Sequence, residues 1–171
     1  MTQATEGARV NGYDLAELRG YIESIRRDPS VADRDPVVRA TWLGGSRARV
    51  EDGSGLLFHV GGDGEPSAMR ALLGTLAACD VEVVSTHAAL LGVKLEGLEV
   101  EARTHFNVAK LLGLEGPDPG FERVSYTVRV SAPGATREQL ERLREMCETA
   151  SPVGHTLARP VPLTLEFVHE A

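Results

Sequence analysis

Between Ser67 and Leu91 the chain is apolar at almost every step: Met69, Leu72, Leu73, Leu76, Val81, Val83, Val84, Ala88 and Leu90 surround the helix that this stretch predicts. Such a helix has no polar face to show to water. It belongs in the middle of a fold, or partly at a subunit contact, rather than on a surface. Arg70, Asp80 and Glu82 within the run rule against a membrane span. The remaining elements must be arranged to cover this rod.

One core is enough to do so. The 171 residues suit a single domain, and 42% apolar with 25% charged residues is the balance of a globular chain, not of a disordered or disulfide-stapled one. Lys and Arg number 18 against 25 Asp and Glu, a formal charge of -7 whose field repels phosphates, so no nucleic-acid partner is expected. No uncharged apolar run of about 18 residues occurs, and the opening MTQATEGARVNGYD lacks the basic and apolar regions of a secretory leader. The expectation is a cytoplasmic protein with no membrane contact. Two cysteines, Cys79 and Cys147, make no disulfide framework; in a reducing compartment they are buried, metal-bound or reactive.

Residues 13–28 place Leu15, Leu18, Tyr21, Ile22 and Ile25 on one stripe of a helix, punctuated by Asn11-Gly12 before and Pro29 after. The polar, proline-ended stretch 30–36 reads as a linker. Three short strands are expected at 37–43, 46–51 and 55–60, joined as a meander by Gly44-Gly45 and Asp52-Gly53. Beyond the long helix, 94–106 and 121–131 read as a hairpin. Thr136 and Gln139 form a capping box that opens a helix to about Thr149. Ser151-Pro152 starts a short helix, because Ser caps well and Pro suits the first helical position. Residues 161–168, VPLTLEFV, are expected to close the chain as a strand. The plan is α+β.

The chemistry-bearing residues are few. Cys79 sits near the middle of the long helix, and its plain reading is a small core hydrophobe. Reactivity needs a lowered thiol pKa, whereas its neighbours Asp80 and Glu82 act the other way, so a cation must arrive from elsewhere. Cys147, near the end of the Thr136 helix, also reads first as packing. The two cysteines lack CxxC spacing and further sulfur ligands, and His59, His87, His105, His155 and His169 lack HExxH spacing, so no metal is expected. Ser151 and His155, four apart, could pair as nucleophile and base, but capping explains the serine better. Gly61–Gly64 is neither a Walker loop nor GxGxxG.

Taken together, LLGTLAACDVEVV, GVKLEGLEVEA, GFERVSYTVRV and SPVGHTLARPVPLTLEF resemble the OsmC/Ohr family over about residues 11–168. The resemblance implies a β meander, a long buried central helix and a second antiparallel sheet, intertwined as a homodimer. Residues 1–36 would be an N-terminal extension with one helix and a linker, and 37–171 the OsmC-like domain. VNGYDLAELRGYIESIRRDPSVAD resembles the extra leading helix of one branch, which often reads SPV, as here, in place of CPV.

Enzymes of the family are thiol peroxidases that reduce organic hydroperoxides in oxidative stress defence, without a cofactor. The resemblance makes Cys79 the peroxidatic thiolate. It assigns an orienting Arg to the turn after the first strand, with Arg47 the first candidate and Arg49 the next. The acid usually found nine or ten positions before the cysteine is replaced by Arg70 and Met69, with Glu65 a substitute from the preceding loop and Arg70 a further candidate for stabilising the thiolate. Ser151 occupies the resolving position and cannot form a disulfide, which leaves Cys147, one helical turn upstream, as a displaced resolving thiol. An external dithiol would then complete the cycle. The rival expectation is a degenerate OsmC-like dimer that binds a small hydrophobic ligand or partner without turnover.

Overall fold

The computed structural model describes residues 9–169. Strands β1 (Arg9–Val10) and β2 (Tyr13–Asp14) form a two-residue hairpin, whose turn places Asn11 at φ 52° and Gly12 at φ 87°. Both signs are positive, as the tightest hairpin turns require, and Asn and Gly are the residues that tolerate them. Helix α1 (Leu15–Arg27) therefore starts at the first residue of its apolar stripe, two residues into the predicted segment 13–28, with Asp14 as N-cap accepting from Ala16 and Glu17. The Asn11 side chain bridges the Val93 carbonyl at 2.8 Å and the Leu95 N–H at 2.9 Å, tying this segment beyond the far end of the central helix. The predicted linker begins as a 3₁₀ turn, Pro29–Ala32.

The meander is present as β3 (Arg39–Trp42), β4 (Ala48–Asp52) and β5 (Gly55–Val60), antiparallel in that order. Helix α2 (Ala68–Leu90) is the rod. Leu76, Asp80, Val83, Val84, Ala88 and Ala89 are buried within the single chain, while Leu72 and Val81 stay exposed. Strands β6 (Gly97–His105) and β7 (Arg123–Ser131) pair from Gly97 opposite Ser131 to His105 opposite Arg123. Phe106 and Phe121 pack edge to face at the base of their connecting loop, centroids 5.9 Å apart.

Helix α3 (Arg137–Ala150) opens with both halves of the expected capping box, and α4 (Pro152–Leu157) follows at once. The core lies where α2, α3 and the β6–β7 hairpin meet, around Val84, Ala88, Val93, Leu143 and Cys147. The meander packs mainly on itself; α2 packs against β6, α3 and α4. This is the α+β arrangement of meander, central helix and second antiparallel sheet. Among the described residues no helix is long and apolar enough to cross a membrane.

The expected strand at 161–168 does not form. Residues 161–169 have no strand partner, and Leu163 is 94% and Phe167 87% exposed. The alternation of Val161, Leu163, Leu165 and Phe167 is that of a strand with one buried face, but a strand exists only where a second edge satisfies its backbone. The described residues of the single chain provide none.

Candidate functional site

Cys79 is half-buried in the middle of α2, and its sulfur accepts a hydrogen bond from the Ser151 hydroxyl at 3.5 Å. The contact follows from local sequence. Ser151 ends α3 and caps α4 with Pro152 next, so its Oγ accepts from Gly154 N–H at 3.2 Å. That cap holds the hydroxyl against α2, where Ser151 is only 1% exposed. Gly154 makes the approach possible, since a Cβ there would lie 3.0 Å from Ser151 Oγ and 3.8 Å from Leu76. His155 turns away: its Nε2 meets the Thr149 carbonyl at 3.1 Å. The serine–histidine pair of a hydrolase is not assembled, because capping already orients Ser151.

Asp80, the residue after Cys79, is the site feature that sequence reasoning missed. It is wholly buried, and neither carboxylate oxygen has a hydrogen-bond partner among the described residues. Burial, the larger cause, raises its pKa above the usual carboxylate value, and the nearby Ser151 hydroxyl acts in the opposite sense. Its place was legible in principle: Leu76, Asp80 and Val84 are spaced four apart, and the outer two are core residues.

Cys147 lies in the core cluster with Val84 and Leu143. Burial pushes its thiol up, and the Asp80 charge adds to that. Tyr126 on β7 is raised by the same two causes in the same order. Both cysteines are free thiols. Cys79 meets Ser151 while Cys147 is packed in the core cluster, so the two sulfurs are presented to different surroundings.

Arg47 and Glu65 are brought together across the turns flanking the meander, with Nη2 and Oε1 3.4 Å apart and Arg47 half exposed. Glu65 also accepts from the Gly62 N–H at 2.8 Å. Gly62 is required by this packing: a Cβ would lie 2.4 Å from Glu65 Oε2 and 2.7 Å from Arg47 Nε. Gly61, at φ 83°, lies against the Ser46 carbonyl. Arg49 pairs instead with Glu51 along β4 at 2.8 Å. Arg70, in the first turn of α2, is exposed and forms no ion pair among the described residues. Within one chain, no guanidinium hydrogen-bonds Cys79 among the described residues.

A cavity of about 830 Å³ opens beside the site, with Met69, Leu72 and Leu76 from α2, Phe121, Val124 and Tyr126 from the hairpin, and His155 and Leu157 from α4 on its walls. Its thiol is Cys147; a second cavity of about 460 Å³ shares Tyr126, Cys147 and Glu148 with it.

Residues 61–166 match the family model for OsmC-like proteins, and as this is well over half of the chain, the chain belongs to the OsmC-like family. Solved structures give the same fold. An OsmC-like protein from Mycoplasma pneumoniae superposes with a TM-score of 0.59 at 14% identity, covering 74% of this chain and 89% of its own. One of unknown function from Vibrio cholerae gives 0.55 at 12%, covering 72% and 94%. An organic hydroperoxide resistance protein OsmC from Legionella pneumophila gives 0.50 at 18%, covering 74% and 90%. No curated protein matches the sequence.

Proposed function

We propose that the protein is a thiol-dependent peroxidase for organic hydroperoxides, with Cys79 as the attacking thiolate. The observation that carries this reading is the placement of Cys79: a free, partly accessible thiol at mid-α2 of an OsmC-like domain, with a hydroxyl donor on its sulfur. The step is a displacement at oxygen. The Cys79 thiolate forms a bond to the terminal peroxide oxygen, the O–O bond breaks, and the alkoxide leaves and takes up a proton as alcohol. Sulfur is oxidised to sulfenic acid and the peroxide is reduced. An external dithiol then returns the thiol through a mixed disulfide.

The working unit in this proposal is a homodimer. The meander leaves Trp42, Leu56 and Phe58 exposed, and the unpaired stretch 161–169 leaves Leu163, Leu165 and Phe167 exposed, two apolar surfaces that a second copy can cover. The Arg47–Glu65 pair is preassembled on an outer turn, from which a second copy can present it to Cys79. The organic class of peroxide is supported by Leu72 and Leu76, apolar residues of the helix that carries Cys79 and part of the wall of the neighbouring cavity, and a reducing cytoplasm would keep both cysteines as thiols. Turnover of tert-butyl or lipid hydroperoxide with a dithiol tests the proposal. Equal rates in wild type and Cys79→Ser would refute it.

The absence of a guanidinium on Cys79 among the described residues of one chain favours a second reading: a dimer that keeps the cavity for a small apolar ligand and has no turnover. Its mark is Cys79 alkylation at pH 6 no faster than that of free cysteine, together with saturable binding of an apolar fluorescent probe.

A further inference from the structure

The connection between β6 and β7 is closed on itself. Phe106 and Phe121 clasp its base, the Ala109 N–H donates to Asn107 Oδ1 at 2.8 Å, the Leu114 N–H donates to the Ala109 carbonyl at 3.0 Å, and Lys110 pairs with Asp118 at 2.8 Å. A Cβ on Gly116 would lie 2.9 Å from that of Ala109, so the two limbs touch. Loops that carry their own packing in this way are frequently functional. Here the large aliphatic side chains point outward: Leu111 is 78% and Leu112 69% exposed on the 3₁₀ turn Lys110–Leu112, with Val108 and Leu114 exposed beside them. Aliphatic side chains gathered on a built prong and left in water mark a contact surface.

A matching surface lies at the foot of the prong. Gly120 and Phe121, on its returning limb, are also part of the wall of the cavity of about 830 Å³, together with Leu72, Leu76 and Leu157. The charges agree in sign. At the rim, Glu122 faces His105 Nε2 at 3.8 Å and Glu148 pairs with Arg144, whereas Arg123, and Arg70 beside Met69, have no ion pair among the described residues. On the prong, Asp118 is taken by Lys110 and Glu115 has no ion pair among the described residues. The uncommitted charges are thus positive at the cavity and negative on the prong.

We propose that the prong of one copy enters the cavity of a second copy, setting Leu111 and Leu112 against its apolar wall and Glu115 on Arg123 at its rim. Prong and cavity meet at residues 120 and 121, so a two-fold axis beside that limb makes both contacts at once, and a self-complementary pair of this kind closes at two copies. The contact rests on the homodimer reading and deepens it, because each cavity beside Cys147 is then completed by leucines of the other chain. A formal charge of -7 on each copy opposes association, which makes the local pairing of opposite charges the element that fixes orientation.

Light scattering on a dilution series of the full chain reads the dimer Kd. Leu111→Asp combined with Leu112→Asp is expected to weaken it by at least about tenfold, the effect of no longer burying these leucines, with no fall in Tm because both are exposed in the single chain. Glu115→Arg and Arg123→Glu should each weaken the dimer, and the two together should recover most of the loss. Glu115→Arg also lowers the net charge, so it would strengthen an association governed by overall charge; strengthening overturns the proposal. A Kd unchanged by the leucine changes, or charge changes whose losses add without recovery, overturns the contact and leaves the homodimer standing, whereas a wild-type monomer overturns both. Leucine-dependent sedimentation with phosphatidylcholine vesicles in place of self-association gives the prong to a lipid surface and overturns the proposal as well. Peroxide turnover enters none of these measurements, so the contact and the peroxidase reading can fail separately.

Discussion

The Ser151 hydroxyl donates to the Cys79 sulfur across 3.5 Å, joining the cap of α4 to the middle of α2. A side chain at 151 is thereby placed where a second thiol would be in reach of the first. Cys147, one helical turn away on the buried face of α3, is not presented to the same surroundings.

Ser151→Cys should therefore create a resolving pair. The oxygen–sulfur separation must close to a disulfide bond length of about 2 Å, within reach of a side-chain rotation and a small shift of the cap. Mild oxidation of the variant is expected to lower the thiol titre of the unfolded protein from three to one. A titre that stays at three would show that position 151 is not in line with Cys79.

Two adjacent glycines should separate function from stability. In Gly62→Ala the new Cβ meets the ends of Glu65 and Arg47. These are flexible side chains, so the pair is expected to part with little change in Tm while peroxide turnover falls severalfold. In Gly61→Ala the Cβ lies 2.1 Å from the backbone oxygen of Ser46 at a φ of 83°. Backbone cannot swing aside, and a loss of about 2–4 kcal/mol in stability is expected by denaturant titration.

A half-buried histidine and a buried acid set opposite pH trends. His87 has its pKa lowered, by burial first and the Arg142 charge second, so the folded state takes up its proton later than the unfolded chain. Its contribution is present above about 6.5 and is lost as pH falls from there toward the folded value. The fall in urea midpoint between about pH 7.5 and 5.5 should shrink in His87→Gln. Asp80 is raised, so the folded chain keeps a proton that the unfolded chain releases near 3.8, and stability declines as pH rises above that value. Asp80→Asn should then raise the urea midpoint at about pH 7.5 and leave it unchanged near pH 3.5.

The C-terminal stretch should govern assembly. Light scattering is expected to give twice the 18.3 kDa chain mass at micromolar concentration. Ending the chain at Pro160 removes Leu163, Leu165 and Phe167, and the dimer should weaken by at least about tenfold in Kd. A wild-type monomer under the same conditions would contradict the assembly proposed here.

Local signals made much of the fold legible. The capping box at Thr136 and Gln139, the Ser151-Pro152 helix start and the glycine-jointed meander each act within a few residues, and each forms where the pattern places it. Asn11-Gly12 shows a signal read too coarsely, since the pair is a hairpin turn between two short strands and not only the edge of a helix. The strand pattern of 161–168 has no structure within one chain, because a strand needs another edge and periodicity does not say whose.

The residue order by itself determined the all-round apolar helix, the positions of its caps, the thiol at its middle and the hydroxyl that starts the last helix, because propensity and short-range hydrogen bonding settle these. Only the tertiary structure decided that Ser151 reaches Cys79, that Asp80 is sealed without a partner, and that Arg47 is held by Glu65 instead of the sulfur. Those outcomes depend on how α2, α3 and α4 pack and which atoms that packing removes from water, and no spacing along the chain encodes a distance between residues 79 and 151.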